Sequence, residues 1–290
     1  MFRTLTVVVA LTLSTVTSAQ AGTFPGQPVA GSHHFDLEEM YAASQYEQGL
    51  AEARRRFAAD PSDADLTWHI ARFLFEIGEQ VDRNDRSVDK VALYSEMQAV
   101  SERGLALRPG DPHITFARGV ATGRLGTTRG VLASLFSAKH LERDWQAVSK
   151  SGFVYSSIDG NERLPCDADL ALGMFYRLVP DSLLVQMVAG TRGSLEKSEH
   201  HLAKADRCAP GRIGTVKELG VTQLCRGTKG DADKLASGQA TLTRARTLSV
   251  TSETDRIDRA HIDRLLEDPE IACGYSRDGQ QDLDTDKLKG

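Results

Sequence analysis

Apolar residues recur at three- and four-residue steps along most of the chain. In the first such block, which runs from Asp36 to Asp60, they are Leu37, Met40, Tyr41, Tyr46, Leu50 and Phe57. This spacing puts apolar side chains on one face of an α-helix, and the block ends at Asp60 because a residue that precedes proline avoids the helical region. Further helices are predicted from the capping residues Ser62 and Asp63 to Gly78 and over 87–107, 112–125, 131–150, 167–179, 194–207, 213–226, 231–247 and 252–266.

Proline and glycine lie mostly between these blocks, where both residue types tend to end helices. No alternating pattern of apolar and polar residues that is long enough for a strand appears after residue 21. The sequence therefore predicts an all-α fold, built from antiparallel helix pairs.

The first twenty-one residues carry a different pattern. Arg3 gives a positive start, an apolar run follows from Leu5 to Leu13, and Ala19-Gln20-Ala21 has the small residues that signal peptidase requires. The run is shorter than the roughly 20 residues that a membrane-spanning helix needs. We therefore predict a signal peptide over 1–21 and a periplasmic or secreted mature chain without a membrane span. A buried N-terminal strand is the alternative.

Export changes the meaning of the four cysteines, which are Cys166, Cys208, Cys225 and Cys273. In an oxidising compartment an even number of cysteines favours disulfides, and order along the chain favours Cys166–Cys208 and Cys225–Cys273 among the three possible pairings. No two cysteines have the close spacing of a structural zinc site, so neither a metal nor another cofactor is predicted. Buried free thiols are the alternative.

The predicted mature chain divides into three parts. Residues 22–35 contain glycine, proline, serine and the pair His33-His34, which predicts an extended, mobile leader. Residues 36–267 form the helical domain. Residues 268–290 are polar and charged, and predict a solvated C-terminal tail.

Small residues recur seven positions apart in four of the helical blocks. The pairs are Ala71 and Gly78, Gly119 and Gly126, Gly173 and Pro180, and Gly220 and Gly227. We expect the first member of each pair where a neighbouring helix crosses closely, and the second where the helix ends in a glycine cap or at proline. In addition, a small residue precedes proline by five positions in Gly104–Pro109 and Ala205–Pro210.

These positions resemble those that a tetratricopeptide (TPR) repeat fixes, and the resemblance extends over about residues 37–250. It implies a TPR-like stack of antiparallel helix pairs, an α-α superhelix. A generic helical bundle, in which glycine and alanine merely allow close packing, is the alternative.

The middle of the chain carries a closer resemblance. The segment Gly119–Ala138 is followed by Lys139-His140-Leu141, then by Phe175–Pro180 and by Leu195–Glu199. This order resembles divergent TPR proteins of the regulator-of-microtubule-dynamics type, and is similar to the periplasmic TatT-type proteins that accompany TRAP transporters. The resemblance implies a protein that binds a partner or ligand without catalysis, and the predicted signal peptide fits the periplasmic relatives.

Composition and missing motifs narrow the function further. Lysine and arginine number 35 against 40 aspartates and glutamates, and the formal net charge of −5 gives no basic excess for nucleic acid. The chain has no Walker loop, no dinucleotide glycine fingerprint, no His-Glu-x-x-His and no Gly-x-Ser-x-Gly. We therefore expect neither nucleic-acid binding nor an enzyme.

Aromatic and arginine side chains on the first helices of the predicted pairs are the candidate site, because first helices line the concave face of a stacked repeat. The predicted groove residues are Trp68, Arg72, Phe75, Phe116, Tyr176 and Arg177. Such a groove would bind a protein or peptide, and Arg72 or Arg177 would contact an anionic group. For each ring, a place in the core is the alternative.

The segment from Leu172 to Val188 is strongly apolar and is either a buried insert or an exposed contact loop. Burial is favoured because apolar residues mostly lie inside. A pocket at this segment supports an alternative function, in which the protein binds an apolar or anionic small molecule as an accessory of a transporter.

Overall fold

The described part of the chain folds mainly into helices. The computed structural model describes residues 28–81 and 87–277. In this part of the chain the α-helices are α1 (Phe35–Ala42), α2 (Tyr46–Ala59), α3 (Ala64–Glu79), α4 (Lys90–Leu107), α5 (Pro112–Arg129), α6 (Ala138–Lys150), α7 (Cys166–Leu178), α8 (Leu183–Ala189), α9 (Leu195–Cys208), α10 (Ile213–Thr228), α11 (Ala232–Thr247) and α12 (Glu253–Glu267). A first 3-10 helix covers Leu132–Ser137 and a second covers Pro269–Gly274. The predicted all-α fold is confirmed.

The helix boundaries follow from local chemistry. Seven of the described α-helices begin after a serine or aspartate whose side chain accepts a backbone N–H bond of the first turn: Asp63, Asp89, Asp111, Ser182, Ser194, Asp231 and Ser252. After α4 and α9 the chain turns through Pro-Gly, and the left-handed φ angles of 78° at Gly110 and 85° at Gly211 suit glycine. Most predicted boundaries therefore lie within a few residues of the observed ones.

Three local features differ from the prediction. The first helical block is divided between α1 and α2, because Ser44 adopts a left-handed φ of 57°. Helix α8 was not predicted. A short antiparallel hairpin also joins β1 (Tyr155–Ser156) to β2 (Arg163–Leu164), with Tyr155 opposite Leu164.

Neighbouring helices pack closely where glycines lie. A Cβ atom added to Gly173 of α7 would lie 2.3 Å from Cγ of Leu202 in α9, and one added to Gly220 of α10 would lie 2.6 Å from Leu242 in α11. The expected close crossings at these positions are confirmed.

Of the second members, Pro180 follows the end of α7 as predicted, whereas the three glycines behave differently from the prediction. Gly78 and Gly227 lie inside helices and are not left-handed caps. An added Cβ would lie 2.7 Å from the Tyr94 hydroxyl at Gly78 and 2.5 Å from the Leu235 backbone at Gly227. They are therefore further points of close helix contact, as is Gly126 against Ser134 of the first 3-10 helix.

The core forms several apolar clusters along the chain. The first cluster lies among α1 to α5 and includes Phe73 and Tyr94. The second lies among the first 3-10 helix and α6 to α8 and includes Leu172 and Phe175. A third joins α10, α11, α12 and the second 3-10 helix.

Both predicted disulfides are present, and they account for all four cysteines. Cys166 at the start of α7 is bonded to Cys208 at the end of α9, with their Cα atoms 5.5 Å apart. Cys225 of α10 is bonded to Cys273 of the second 3-10 helix, with a Cα separation of 4.6 Å. Among the described helices, none is both long and apolar enough to span a bilayer.

The predicted tail of residues 268–290 is wrong in its first part. Residues 269–277 pack against the helical domain, since Ala272 and Arg277 are buried and Cys273 is disulfide-bonded. The predicted leader of residues 22–35 is likewise wrong at His34, which is buried and bonded to Asp63. The signal peptide over 1–21, like residues 22–27 and 278–290, lies outside the described residues.

Candidate functional site

A cavity of about 230 Å³ lies where the first and second apolar clusters meet. Helices α3, α5, α6 and α7 and the first 3-10 helix contribute most of its walls. Large apolar side chains that line it include Phe75, Met97, Phe116, Leu141, Trp145 and Phe175. The volume exceeds the roughly 150 Å³ of an engineered cavity that binds benzene and lies below the roughly 300 Å³ at which common ligand pockets begin. A small ligand therefore suits it.

Two glycines of α5 accommodate the indole of Trp145, which lines the cavity. A Cβ added to Gly119 would lie 2.5 Å from Nε1 of Trp145, and one added to Gly123 would lie 3.1 Å from its ring carbon Cη2. The indole of Trp145 in α6 therefore rests directly on the α5 backbone. Larger residues at these two positions would push the ring away from α5 and toward the other walls.

One end of the cavity is polar, because Arg72 and Glu76 of α3 and Glu162 of the hairpin loop reach it. The Arg72 guanidinium lies 2.8 Å from Glu38 and 3.2 Å from Glu162, measured from nitrogen to carboxylate oxygen. It also lies 3.5 Å from the centre of the Tyr41 ring, whose hydroxyl donates a 2.8 Å hydrogen bond to Glu76. The polar end is thus an ordered network of ion pairs and hydrogen bonds.

Two of the three carboxyl side chains that line the cavity, those of Glu76 and Glu162, have pKa values near neutral pH. Burial raises the pKa of Glu76 to about 7, and the hydrogen bond from Tyr41 and the charge of Arg72 only partly oppose this effect. Burial likewise raises the pKa of Glu162 to about 7, although Arg72 favours its ionised form. Near pH 7, both carboxyls can therefore donate as well as accept hydrogen bonds.

Three of the six predicted groove residues line the cavity, namely Arg72, Phe75 and Phe116. Arg72 differs from the expectation in one respect. Since it is buried and ion-paired with Glu38 and Glu162, its charge is already balanced, although its guanidinium nitrogens make no hydrogen bond within the described residues.

The other three predicted residues lie elsewhere, so no single groove lined by all six is formed. Trp68 is buried against His113, with ring centres 4.1 Å apart. The Tyr176 hydroxyl donates a hydrogen bond to the Glu142 carboxylate. Arg177 is buried, with Nη2 of its guanidinium 2.5 Å from Oε2 of Glu218. Each of the three has its partners within the core.

The prediction missed several lining residues, among them Trp145 and Leu141 of α6. The prediction considered only the first helix of each pair. The cavity lies between α3, α5, α6 and α7, so residues from both helices of a pair line it. The apolar spacing of Leu141, Trp145 and Val148 was the available signal.

The apolar segment Leu172–Val188 combines both alternatives. From Leu172 to Val179 its large apolar residues are mostly buried, and Phe175 and Val179 line the cavity. In α8, however, Leu183 and Met187 are 70% and 81% exposed. The favoured burial is therefore correct for α7 and wrong for the outer face of α8.

Outside the cavity, His33, His34 and Asp63 bring three possible metal ligands together in the described part of the chain.

No protein-family model matches the chain, and no curated protein matches it significantly. Its function is therefore inferred from the geometry.

Proposed function

We propose that the protein is an exported binding protein that holds a small, mainly apolar ligand in the cavity between α3, α5, α6 and α7. The observation that carries this proposal is the composition of the walls, where apolar and aromatic side chains surround the space and polar groups converge at one end. This combination is typical of small-molecule sites, in which apolar contact supplies affinity and a few polar groups set the orientation.

The ligand's apolar body would contact Phe116, Trp145 and Phe175, and its polar end would face Glu76 and Glu162. Because Glu38 and Glu162 already accompany the guanidinium of Arg72, a neutral hydrogen-bonding group suits this end better than a strongly anionic one. A hydroxyl, which can donate and accept, matches carboxyls that titrate near neutral pH.

The proposal assigns the protein to the periplasm or the extracellular space, as an accessory of a transporter. Its support is the signal-peptide pattern of residues 1–21, the two disulfides and the resemblance to periplasmic TPR proteins. In such a role the chain performs no catalysis and releases its ligand unchanged.

A second candidate function is binding of a protein partner, and the exposed apolar residues beside the cavity favour it. Phe136 of the first 3-10 helix is 79% exposed, and Leu183 and Met187 of α8 are 70% and 81% exposed. The first 3-10 helix and α8 pack against each other, and they adjoin the cavity residues Leu135 and Val179. Apolar side chains gathered at one part of a surface are typical of interaction sites.

Calorimetric titration with a series of straight-chain primary alcohols tests the ligand-binding proposal. Each added methylene should raise the affinity about fourfold, equivalent to about 0.8 kcal/mol, until the chain exceeds the cavity and the gain stops. The double substitution Leu183→Ser with Met187→Ser should leave these affinities unchanged while weakening any partner binding. Absence of saturable binding, or affinity that rises through the whole series without limit, would contradict the proposal.

A further inference from the structure

Two consecutive histidines and an aspartate from a distant part of the sequence meet at one point. Nε2 of His33 lies 3.0 Å from Oδ2 of Asp63, and Nε2 of His34 lies 2.8 Å from the same oxygen. The three potential ligand atoms all lie within 4.8 Å of one another. Neither the cavity nor its proposed function involves these residues.

The backbone at His34 makes this convergence possible. Side chains of consecutive residues point to opposite faces in a strand and about 100° apart on a helix. His34 instead has φ 59° and ψ 22°, the left-handed conformation that residues other than glycine seldom adopt. As a result the centres of the two imidazole rings lie 3.7 Å apart and both rings face Asp63.

The donor set matches a transition metal. Two imidazole nitrogens and one carboxylate oxygen are the ligands of many zinc and non-haem iron sites. In the structure the two imidazoles are hydrogen-bonded to the carboxylate at 3.0 and 2.8 Å. A tetrahedral ion with bonds of about 2.0–2.1 Å separates its ligand atoms by about 3.3 Å, so an ion that replaces the two shared protons requires the side chains to part by a few tenths of an ångström.

The surrounding fold orients two of the three side chains. Asp63 caps α3 through Oδ1, which accepts the Asp65 N–H at 3.0 Å, so Oδ2 remains directed at the histidines. His34 is buried, with its ring edge-on to His69 at 5.7 Å. The His33 side chain is 70% exposed, which leaves the outer side of the group open to solvent.

We propose that His33, His34 and Asp63 bind one divalent transition-metal ion, with Zn²⁺ as its representative, and that solvent occupies the remaining coordination positions. The ion would connect the segment before α1 to the first turn of α3. It would therefore order the start of the described chain against the helical domain.

Arg56 of α2 sets a limit on this binding. Its Nη1 lies 3.3 Å from Nδ1 of His34, the ring nitrogen that must carry the proton when Nε2 binds a metal. Metal binding therefore requires the guanidinium to withdraw toward Asp36 and Glu52, both of which it already contacts. Replacing Arg56 with glutamine should accordingly strengthen metal binding.

Calorimetric titration of the untagged protein with Zn²⁺, repeated with Co²⁺ to record the visible spectrum of the bound ion, tests the proposal. We expect one ion per chain and at least a tenfold weaker affinity in both His33→Ala and Asp63→Asn. His33 is largely exposed and asparagine retains the helix cap, so both variants should fold. His200→Ala, at an exposed histidine of α9, is the matched control and should bind as the wild type does.

Two results would overturn the proposal. One is the absence of stoichiometric binding at micromolar metal concentrations in a protein whose circular dichroism shows it to be folded. The other is binding that His33→Ala and Asp63→Asn leave unchanged, since the ion would then lie elsewhere. A tighter affinity in Arg56→Gln would support the assigned role of His34.

Discussion

The guanidinium of Arg277 donates a hydrogen bond of 2.6 Å to the backbone carbonyl oxygen of Glu79, across 198 residues of sequence. It also lies 3.4 Å from the carboxylates of both Glu79 and Asp258. Glu79 ends α3 and Asp258 lies in α12, so one side chain near the end of the described chain joins early and late helices. The segment that carries Arg277 is held in turn by the disulfide at Cys273.

Removing this side chain should destabilise the fold. In Arg277→Ala, the buried carboxylates of Glu79 and Asp258 keep Arg124 and Lys217 but lose a second positive partner, and the Glu79 carbonyl loses its hydrogen bond. The free energy of unfolding should therefore fall by about 2 kcal/mol.

Arg246→Ala is the control, because Arg246 and its partner Asp263 are both about half exposed. Its effect should stay below about 1 kcal/mol. Urea denaturation measures both values, and equal small losses would show that Arg277 does not join the helices.

Close helix packing at Gly173 should make even alanine costly there. The added Cβ would lie 2.3 Å from Leu202 and 3.1 Å from the Ser198 carbonyl oxygen, and backbone cannot move aside easily. We expect Gly173→Ala to lower the free energy of unfolding by about 1–3 kcal/mol.

Gly126→Ala provides the comparison, since its Cβ would lie 3.3 Å from the nearest atom, the Ser134 side-chain carbon. The gain in helix propensity of about 0.5–1 kcal/mol should then offset most of the strain. Thermal unfolding of the two variants distinguishes them. A Gly173→Ala variant as stable as Gly126→Ala would refute the packing explanation.

Most of the helices were predictable because their signals are local. Caps such as Asp111 and Ser252, together with apolar residues at helical spacing, act within a few residues of each helix start. Helix α8 and the hairpin gave weaker signals, because α8 has seven residues and each strand has two. The burial of Arg277 had no local signal, because its partners lie far away in sequence.

The candidate site was predictable only in part, for a similar reason. Arg72, Phe75 and Phe116 were found because they belong to the apolar or aromatic faces of predicted helices. Trp68 belongs to the same pattern, and yet it packs against His113 and Tyr155. Whether an aromatic residue lines the cavity or packs in the core depends on how helices that are distant in sequence meet. The helical spacing within a single segment does not contain that information.

Burial of Glu76 predicts a specific pH dependence. The folded-state pKa of about 7 lies above the ordinary value of 4.5, so the folded protein retains a proton that the unfolded chain loses between these pH values. The contribution of Glu76 to the free energy of unfolding therefore falls as pH rises from about 4.5 to 7, and stays lost above that range.

Glu76→Gln removes this charge and keeps an oxygen that accepts the Tyr41 hydrogen bond. The variant should match the wild type near pH 4.5 and exceed it at pH 8 by on the order of 2 kcal/mol. Urea denaturation across this range measures the difference, with the exposed Glu196→Gln as control. A difference that does not change with pH would show that the Glu76 carboxyl is not held protonated in the folded state.

The most direct test of the account is to fill the cavity and measure alcohol binding again. Ala171 of α7 lines the cavity, and phenylalanine at this position would occupy the space of the ligand. Ala236→Phe, at an exposed position of α11, is the matched control. We predict that Ala171→Phe weakens the calorimetric affinity for the best-bound alcohol at least tenfold, at unchanged or higher thermal stability, while Ala236→Phe binds as the wild type does. Wild-type affinity in a folded Ala171→Phe variant would contradict the assignment of this cavity as the ligand site.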